Sequence, residues 1–244
     1  MRAVVFGALC VLTASVHGGD MTNETKTVLA LQCFLNPEQE QRIVDIWKGV
    51  LEIEGVQCAH SLGAVPHITA GSWRVTPEEL EQARTSLVER VADMPAVEVD
   101  MVLEEQSEGG VLDYCFRPTN ATALVAFHAN VHKALGYPYE TFRPIDVPGQ
   151  WWPHLTLFSV PEQRRAQVRE AFEELSKITH VRVERLGLVT FGPIKVLAEA
   201  RLARDHGDSA ESTSGRAVHE TEEDVKALER AKSTEEGTGA GEQR

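Results

Sequence analysis

The chain has 244 residues, 42% of them hydrophobic and 25% charged, with a formal net charge of −13. That composition supplies a packed core for one or two compact units. The acid excess excludes a protein that grips a long polyanion through many Lys or Arg contacts to phosphate.

Asn36-Pro37 is a helix start signal, and Ile43, Val44, Ile46, Trp47, Val50 and Leu51 recur at helical spacing behind it, predicting a helix over 37–54. A strand around His67 follows. Thr76-Pro77-Glu78-Glu79 opens a second helix with Thr as N-cap, Pro in the first turn and Glu at the third position; Leu80, Ala83, Leu87 and Val91 form its buried stripe. Alternating Val97, Val99, Met101 and Leu103 predict a strand, and Glu108-Gly109-Gly110 turns it into a second strand, Val111 to Phe116, as a hairpin. Thr119 to Leu135 reads as a helix with Leu124, Phe127, Val131 and Leu135 inward. A loop rich in Pro, Gly and aromatics leads to a strand at His154, Pro161 starts another helix, and Val181 to Val189 and Ile194 to Leu202 read as closing strands. The order helix, strand, helix, strands thus occurs twice, which predicts two similar lobes about a pseudo-twofold axis with a cleft between them.

Within that repeat, Pro66-His67-Ile68-Thr69 and Pro153-His154-Leu155-Thr156 share one pattern, their histidines 87 residues apart. A single such string arises by chance in about one chain in a hundred of this size, so two copies are expected in about one in ten thousand. On a strand the side chains alternate faces, so each His and its Thr point one way while Ile68 and Leu155 point into a core. Two such strands facing one cleft offer two imidazoles and two hydroxyls to one ligand.

The duplicated His-x-Thr resembles the two-histidine (2H) phosphoesterase superfamily, which includes the bacterial 2′-5′ RNA ligase-like proteins and cyclic phosphodiesterases. The run Thr27 to Leu35, followed by Asn36-Pro37-Glu38, is similar to the opening strand and helix start of that family, and the resemblance covers roughly residues 26–200. It implies an α+β fold, bilobal and duplicated about a pseudo-twofold, with antiparallel sheets lining a central cleft and helices outside. It also implies a metal-independent phosphodiesterase that hydrolyses 2′,3′-cyclic phosphate or 2′-5′ phosphodiester bonds of nucleotides or RNA ends. The alternatives are a 2′-5′ RNA ligase and a catalytically inactive nucleotide-binding module. Many relatives place a basic or small residue soon after the second motif; here Leu157-Phe158-Ser159 follows, which leaves the substrate open.

The chemistry agrees with the residue types. Cleaving a phosphodiester needs a base for the nucleophile, an acid for the leaving oxygen and donors for the non-bridging oxygens. Histidine suits both proton roles near neutrality, so His67 and His154 are the expected catalytic pair, with Thr69 and Thr156 donating to phosphate. Nothing in this arrangement calls for a metal or another cofactor. His128 and His132, spaced i, i+4, could bind a metal, but with no third ligand nearby they read as surface or core-edge residues. His60 reads as a loop histidine. Among Tyr139, Phe142, Trp151 and Trp152, the last and Tyr139 are taken as candidates to stack on a base. Arg74, Arg117, Arg143 and Lys195 are cations that the sequence does not place. The expected ligand is a small nucleotide or an RNA 3′ end, with no duplex and no membrane, on a monomer.

Two ends remain. Arg2 and the apolar run Ala3 to Val16 have the outline of a short signal peptide, too short to span a bilayer. The rival reading starts the protein at Met21, just before the family-like strand, and a cytoplasmic protein is the reading taken, with secretion the alternative. The sequons at Asn23 and Asn120 arise too often by chance to decide it. Residues 1–25 are therefore an extension, 26–204 the bilobal domain, and 205–244, with 11 acidic and 5 basic side chains and few apolar ones, a disordered acidic tail. Cys10, Cys33, Cys58 and Cys115 show no metal-ligand spacing; Cys33 and Cys115, in apolar strand-like runs, read as buried free thiols, and no disulfide framework is expected.

Overall fold

A computed structural model describes residues 26–191 and 193–203. The signal-like run, the Asn23 sequon, Cys10 and the acidic tail lie outside the described residues. Within the described residues, nine strands and four α-helices alternate in two matching series. The first is β1 (Thr27–Leu35), α1 (Pro37–Val50), β2 (Gln57–Cys58), β3 (His67–Val75), α2 (Pro77–Val91) and β4 (Val97–Glu108). The second is β5 (Val111–Pro118), α3 (Thr122–Leu135), β6 (Glu140–Thr141), β7 (Leu155–Pro161), α4 (Arg169–Ser176) and β8 (His180–Thr190), after which β9 (Lys195–Arg201) adds to β8.

The strands form one open sheet in the order β2-β7-β5-β4-β8-β1-β3-β6, and every named pair is antiparallel. Each series lends strands to the other. Short β2 pairs with β7 and short β6 with β3, while the long strand β4 changes partner along its length: residues 97–100 pair with β8 and residues 101–108 with β5. The helices exchange in the same way, α1 packing on α4 and α2 on α3. The expected duplication is thus present, and the exchange makes the two lobes one body with a shared core.

Local chemistry explains the element starts. Asn36 accepts the Gln39 N–H at 2.9 Å ahead of Pro37. Thr76 and Glu79 form the reciprocal capping box that opens α2. Leu29, Leu31, Cys33 and Leu35 of β1 enter the core with Ala83, Leu87 and Val91 of α2. Three boundaries differ from expectation. α1 stops at Val50, with Leu51 closing the last turn onto the Trp47 carbonyl, instead of running to residue 54. α3 begins at Thr122, later than expected, and Thr119 still bonds through its N–H to the Asp100 carbonyl of the hairpin strand. After Pro161 the chain first makes a 3-10 turn, Glu162–Val168, before α4. Cys33, Cys58 and Cys115 are free and buried, and burial pushes their thiols up to about 12, 11 and 12.

The Phe34 ring packs directly against Gly187 of β8. A Cβ built on Gly187 would sit 2.2 Å from Phe34 Cε2. Gly187→Ala is therefore expected to destabilise the fold by about 1–3 kcal/mol through overpacking, read as a lower denaturant midpoint at unchanged m-value.

Candidate active site

Both motifs sit on matching strand positions with a matching irregularity. Along β1 and β3 the register runs from Gln32↔Thr69 to Leu31↔Gly71, passing over Ala70. Along β5 and β7 it runs from Cys115↔Thr156 to Tyr114↔Phe158, passing over Leu157. The residue directly after each motif threonine is thus a β-bulge, a device that re-aims side chains beside functional sites. Ile68 and Leu155 are fully buried, whereas His67, Thr69 and His154 are partly exposed and Thr156 is exposed. This is the alternation that the period of two predicts.

The two imidazoles are held identically. His67 Nδ1 donates to the Val65 carbonyl at 2.7 Å, and His154 Nδ1 donates to the Trp152 carbonyl at 3.1 Å, in each case two residues back along the chain. A carbonyl only accepts, so Nδ1 carries the proton and the neutral ring keeps its lone pair on Nε2. Burial pushes the His67 pKa below its ordinary 6.5, against the pull of the Val65 carbonyl. His154 is pushed down to about 4, first by burial and then by the charges of Arg143, His67 and Arg117, with the Trp152 carbonyl opposing. The two rings are therefore within electrostatic reach of each other.

What brings the motifs together is a set of contacts to the first motif's backbone. Trp151 Nε1 donates to the Thr69 carbonyl at 2.8 Å, so the approach to the second motif is bonded to the first. The Trp151 ring stacks on His128 at 4.0 Å and 9°. His128 Nε2 donates to Ala70 O at 2.8 Å and to Asp146 O at 3.1 Å, and His132 Nε2 donates to the same Ala70 carbonyl at 2.7 Å. The buried Asp146 carboxylate accepts from Ser72 Oγ at 2.6 Å and faces Arg143 Nε at 3.7 Å. Burial raises the Asp146 pKa, with Ser72 and Arg143 opposing.

The surroundings of the two histidines differ. Phe34 stands opposite His67 across the β1–β3 ladder. Arg117, one residue past the Phe116↔Leu155 pair, takes the corresponding place beside His154. Its guanidinium lies 4.3 Å over the Trp152 ring and 3.3 Å from Glu104, and the Trp152 ring is 4.6 Å from that of His154, tilted by 40°.

Of the residues singled out from sequence, His67, Thr69, His154, Thr156 and Trp152 thus gather in one region, joined by the cations Arg117 and Arg143. Tyr139 does not: it is 7% exposed and stacks on Tyr137, which meets Trp73 edge-on in the core. His60 lies in a 3-10 turn with its ring 6.1 Å from Trp47, and Arg74 covers Phe142 at 4.8 Å. His128 and His132 are at the core edge, but bonded to the motif strand. Among the described residues no group of three His, Cys, Asp or Glu side chains could hold a metal. Sequence reasoning missed Ser72 and Asp146, for which no local signal exists, and it undervalued His128, whose i, i+4 partner was the available hint.

No family model and no curated protein matches the chain. Among solved structures it is similar to Escherichia coli LigT complexed with 3′-AMP, at 14% identity and a TM-score of 0.45, over 72% of this chain and 98% of that one. It is also similar to TT0787 of Thermus thermophilus, at 18% identity and a TM-score of 0.44, over 73% and 100% of the two chains. A third similar structure is Kluyveromyces marxianus Usb1, at 14% identity and a TM-score of 0.40, over 71% and 99%. Similarity at this level does not define a reaction, so the chemistry has to rest on the side chains above. No helix among the described residues is long and apolar enough to cross a membrane.

The depressed pKa of His154 has a thermodynamic consequence. An unfolded chain takes up this proton near 6.5, the folded one only near 4, so acid in that window favours unfolding through His154. His154→Gln removes that contribution. Its stability relative to wild type should rise as the pH falls from about 6.5 to about 4, measured as the difference in denaturant midpoints across the range.

Proposed function

We propose that this protein is a two-histidine phosphoesterase that opens 2′,3′-cyclic phosphates or 2′-5′ phosphodiesters of small nucleotides or RNA 3′ ends by acid–base catalysis. The observation that carries the reading is the matched pair of Nδ1–H bonds to the Val65 and Trp152 carbonyls. It gives two imidazoles on duplicated strands the same tautomer, with the lone pair on Nε2, the atom that exchanges a proton in acid–base catalysis. The net charge of −13 supports a small ligand over a duplex, whose binding draws on many Lys and Arg contacts to phosphate.

In the reaction, the Thr69 and Thr156 hydroxyls donate to the non-bridging oxygens. One Nε2 removes a proton from water as its oxygen bonds to phosphorus, and the other, protonated, delivers a proton to the ribose oxygen as the P–O bond breaks. The surroundings suggest the division of labour. His154, beside Arg117 and Arg143, resists a positive charge and starts neutral, as the base; His67, beside Phe34, takes up a proton with the bound phosphate and acts as the acid. The two protons return to their starting places through solvent after product leaves. Run in reverse, the same groups would join ends, so the direction belongs to the substrate supplied.

Incubation with 2′,3′-cyclic nucleotides, 3′,5′-cyclic nucleotides and 2′-5′ dinucleotides, with and without chelator, tests this directly. His67→Ala and His154→Ala should each lower kcat/KM by about a hundredfold or more. Turnover near wild type in either variant would remove that histidine from the mechanism, and tight mononucleotide binding without turnover would make the protein a binding module.

The pH profile is a separate check. Because burial holds both free-enzyme pKa values below the ordinary 6.5, kcat/KM should peak on the acid side of 6.5. Arg143→Ala removes a cation that depresses His154, so it should move the acidic limb upward. A limb that stays in place would detach Arg143 from the site.

A further inference from the structure

His128 is 1% exposed, titratable, and has no part in the proton transfers above. Packing alone would be served by an apolar side chain. The seventh and eleventh residues of α1 are Ile43 and Trp47, both fully buried, whereas the same positions of α3 are His128 and His132. Burying an imidazole instead carries a desolvation cost, and His128 Nδ1 is left buried with no hydrogen-bond partner. The ring must therefore do something that Ile43 does not.

What it adds is one N–H shared between two carbonyls of different elements. Ala70 is the bulge residue directly after Thr69, and its carbonyl, passed over by the β1 ladder, meets His128 Nε2 at 2.8 Å. Asp146 belongs to the 3-10 turn Pro144–Asp146 in the approach to the second motif, and its carbonyl lies 3.1 Å from the same nitrogen. The flat of the ring carries Trp151, whose own N–H holds Thr69 O. One side chain on α3 thus touches the backbone of the first motif, the approach to the second, and the indole that bonds the two.

We propose that His128 is a positioning residue: its Nε2–H and its stacking face together set the Ala70 bulge and seat Trp151, and so aim His67 and Thr69 at the second motif. The effect on turnover rests on the phosphoesterase reading; the effect on geometry does not. His128 touches no reacting atom, so it acts through Ala70 and Trp151. His132 donates to the same Ala70 oxygen at 2.7 Å and limits, without replacing, what is lost when His128 is changed.

Two variants separate the hydrogen bond from simple filling. His128→Phe keeps a flat ring against Trp151 and removes the N–H; His128→Gln keeps a donor at the reach of Nε2. The first readout is hydrogen exchange at the Trp151 indole, with the indoles of Trp47, Trp73 and Trp152 as internal references. In His128→Phe that indole should exchange about tenfold faster or more, and in His128→Gln within about threefold of wild type. The second readout is turnover of a 2′,3′-cyclic nucleotide. In His128→Phe kcat should fall about 10- to 100-fold with KM within about threefold, and His128→Gln should recover most of it. Unchanged Trp151 exchange in His128→Phe, or a Gln variant as impaired as the Phe variant, would overturn the proposal. If His128→Phe does not fold, His128→Gln decides alone, and a rise of about tenfold or more in its Trp151 exchange overturns the proposal. A wild type without phosphodiesterase turnover would remove the functional reading, while the exchange measurement would still decide the role of His128.

Discussion

The bond from the Trp151 indole to the Thr69 carbonyl is the contact on which the site depends. Four strands lie between β7 and β3 in the sheet order. At the usual strand spacing, a flat sheet would hold the two motifs about 24 Å apart, too far for both to line one site. The sheet bends instead, β3 and β7 come into contact, and the 2.8 Å bond fixes how they meet. A single hydrogen bond contributes only about 1 kcal/mol net. Its value lies in where it is placed, at the backbone between the first histidine and its bulge, with a stacked imidazole behind it.

The architecture is symmetric, and the site is not. Strand exchange, helix pairing, bulge position and the Nδ1 bonds all repeat between the two series, as expected when one supersecondary plan is used twice. The neighbours of the two histidines break that equality. Opposite His67 stands Phe34, its ring against Gly187 and under the Arg185 guanidinium at 5.4 Å. Around His154 lie two guanidinium groups, one held over Trp152 beside Glu104 and one facing Asp146. A symmetric pair of imidazoles would have equal proton affinities, and a reaction that needs one acid and one base gains from a difference. Burial lowers both pKa values, and at His154 the charges of Arg143 and Arg117 add to it.

Arg117 also changes the meaning of Trp152. The indole is at the site, but its ring already carries a guanidinium at 4.3 Å. Such a contact holds the Arg117 cation in place beside His154. Burial of the histidines works in the same direction. A low-dielectric setting lowers the pKa of both rings and strengthens every electrostatic interaction made there.

Much of the molecule was legible in its residue order. The capping box at Thr76, the hairpin through Gly109-Gly110, the inward Ile68 and Leu155, and the twofold plan all follow from local periodicity and turn chemistry, which act over a few residues and are written in them. The boundaries that slipped did so at the ends of helices: α1 stopped short, α3 began late after Thr119 bonded to Asp100 of another element, and a 3-10 stretch preceded α4. The pairing of the two His-x-Thr motifs pointed to the chemistry, but its assembly was decided only in three dimensions. Which lobe received the arginines, which of two adjacent tryptophans faced the core, why Tyr137 met Trp73 and drew Tyr139 inward with it, and that a helix histidine would reach the Ala70 carbonyl all depend on partners far away along the chain. Such contacts leave no mark on local spacing, because they exist only once the strands have exchanged and the sheet has bent.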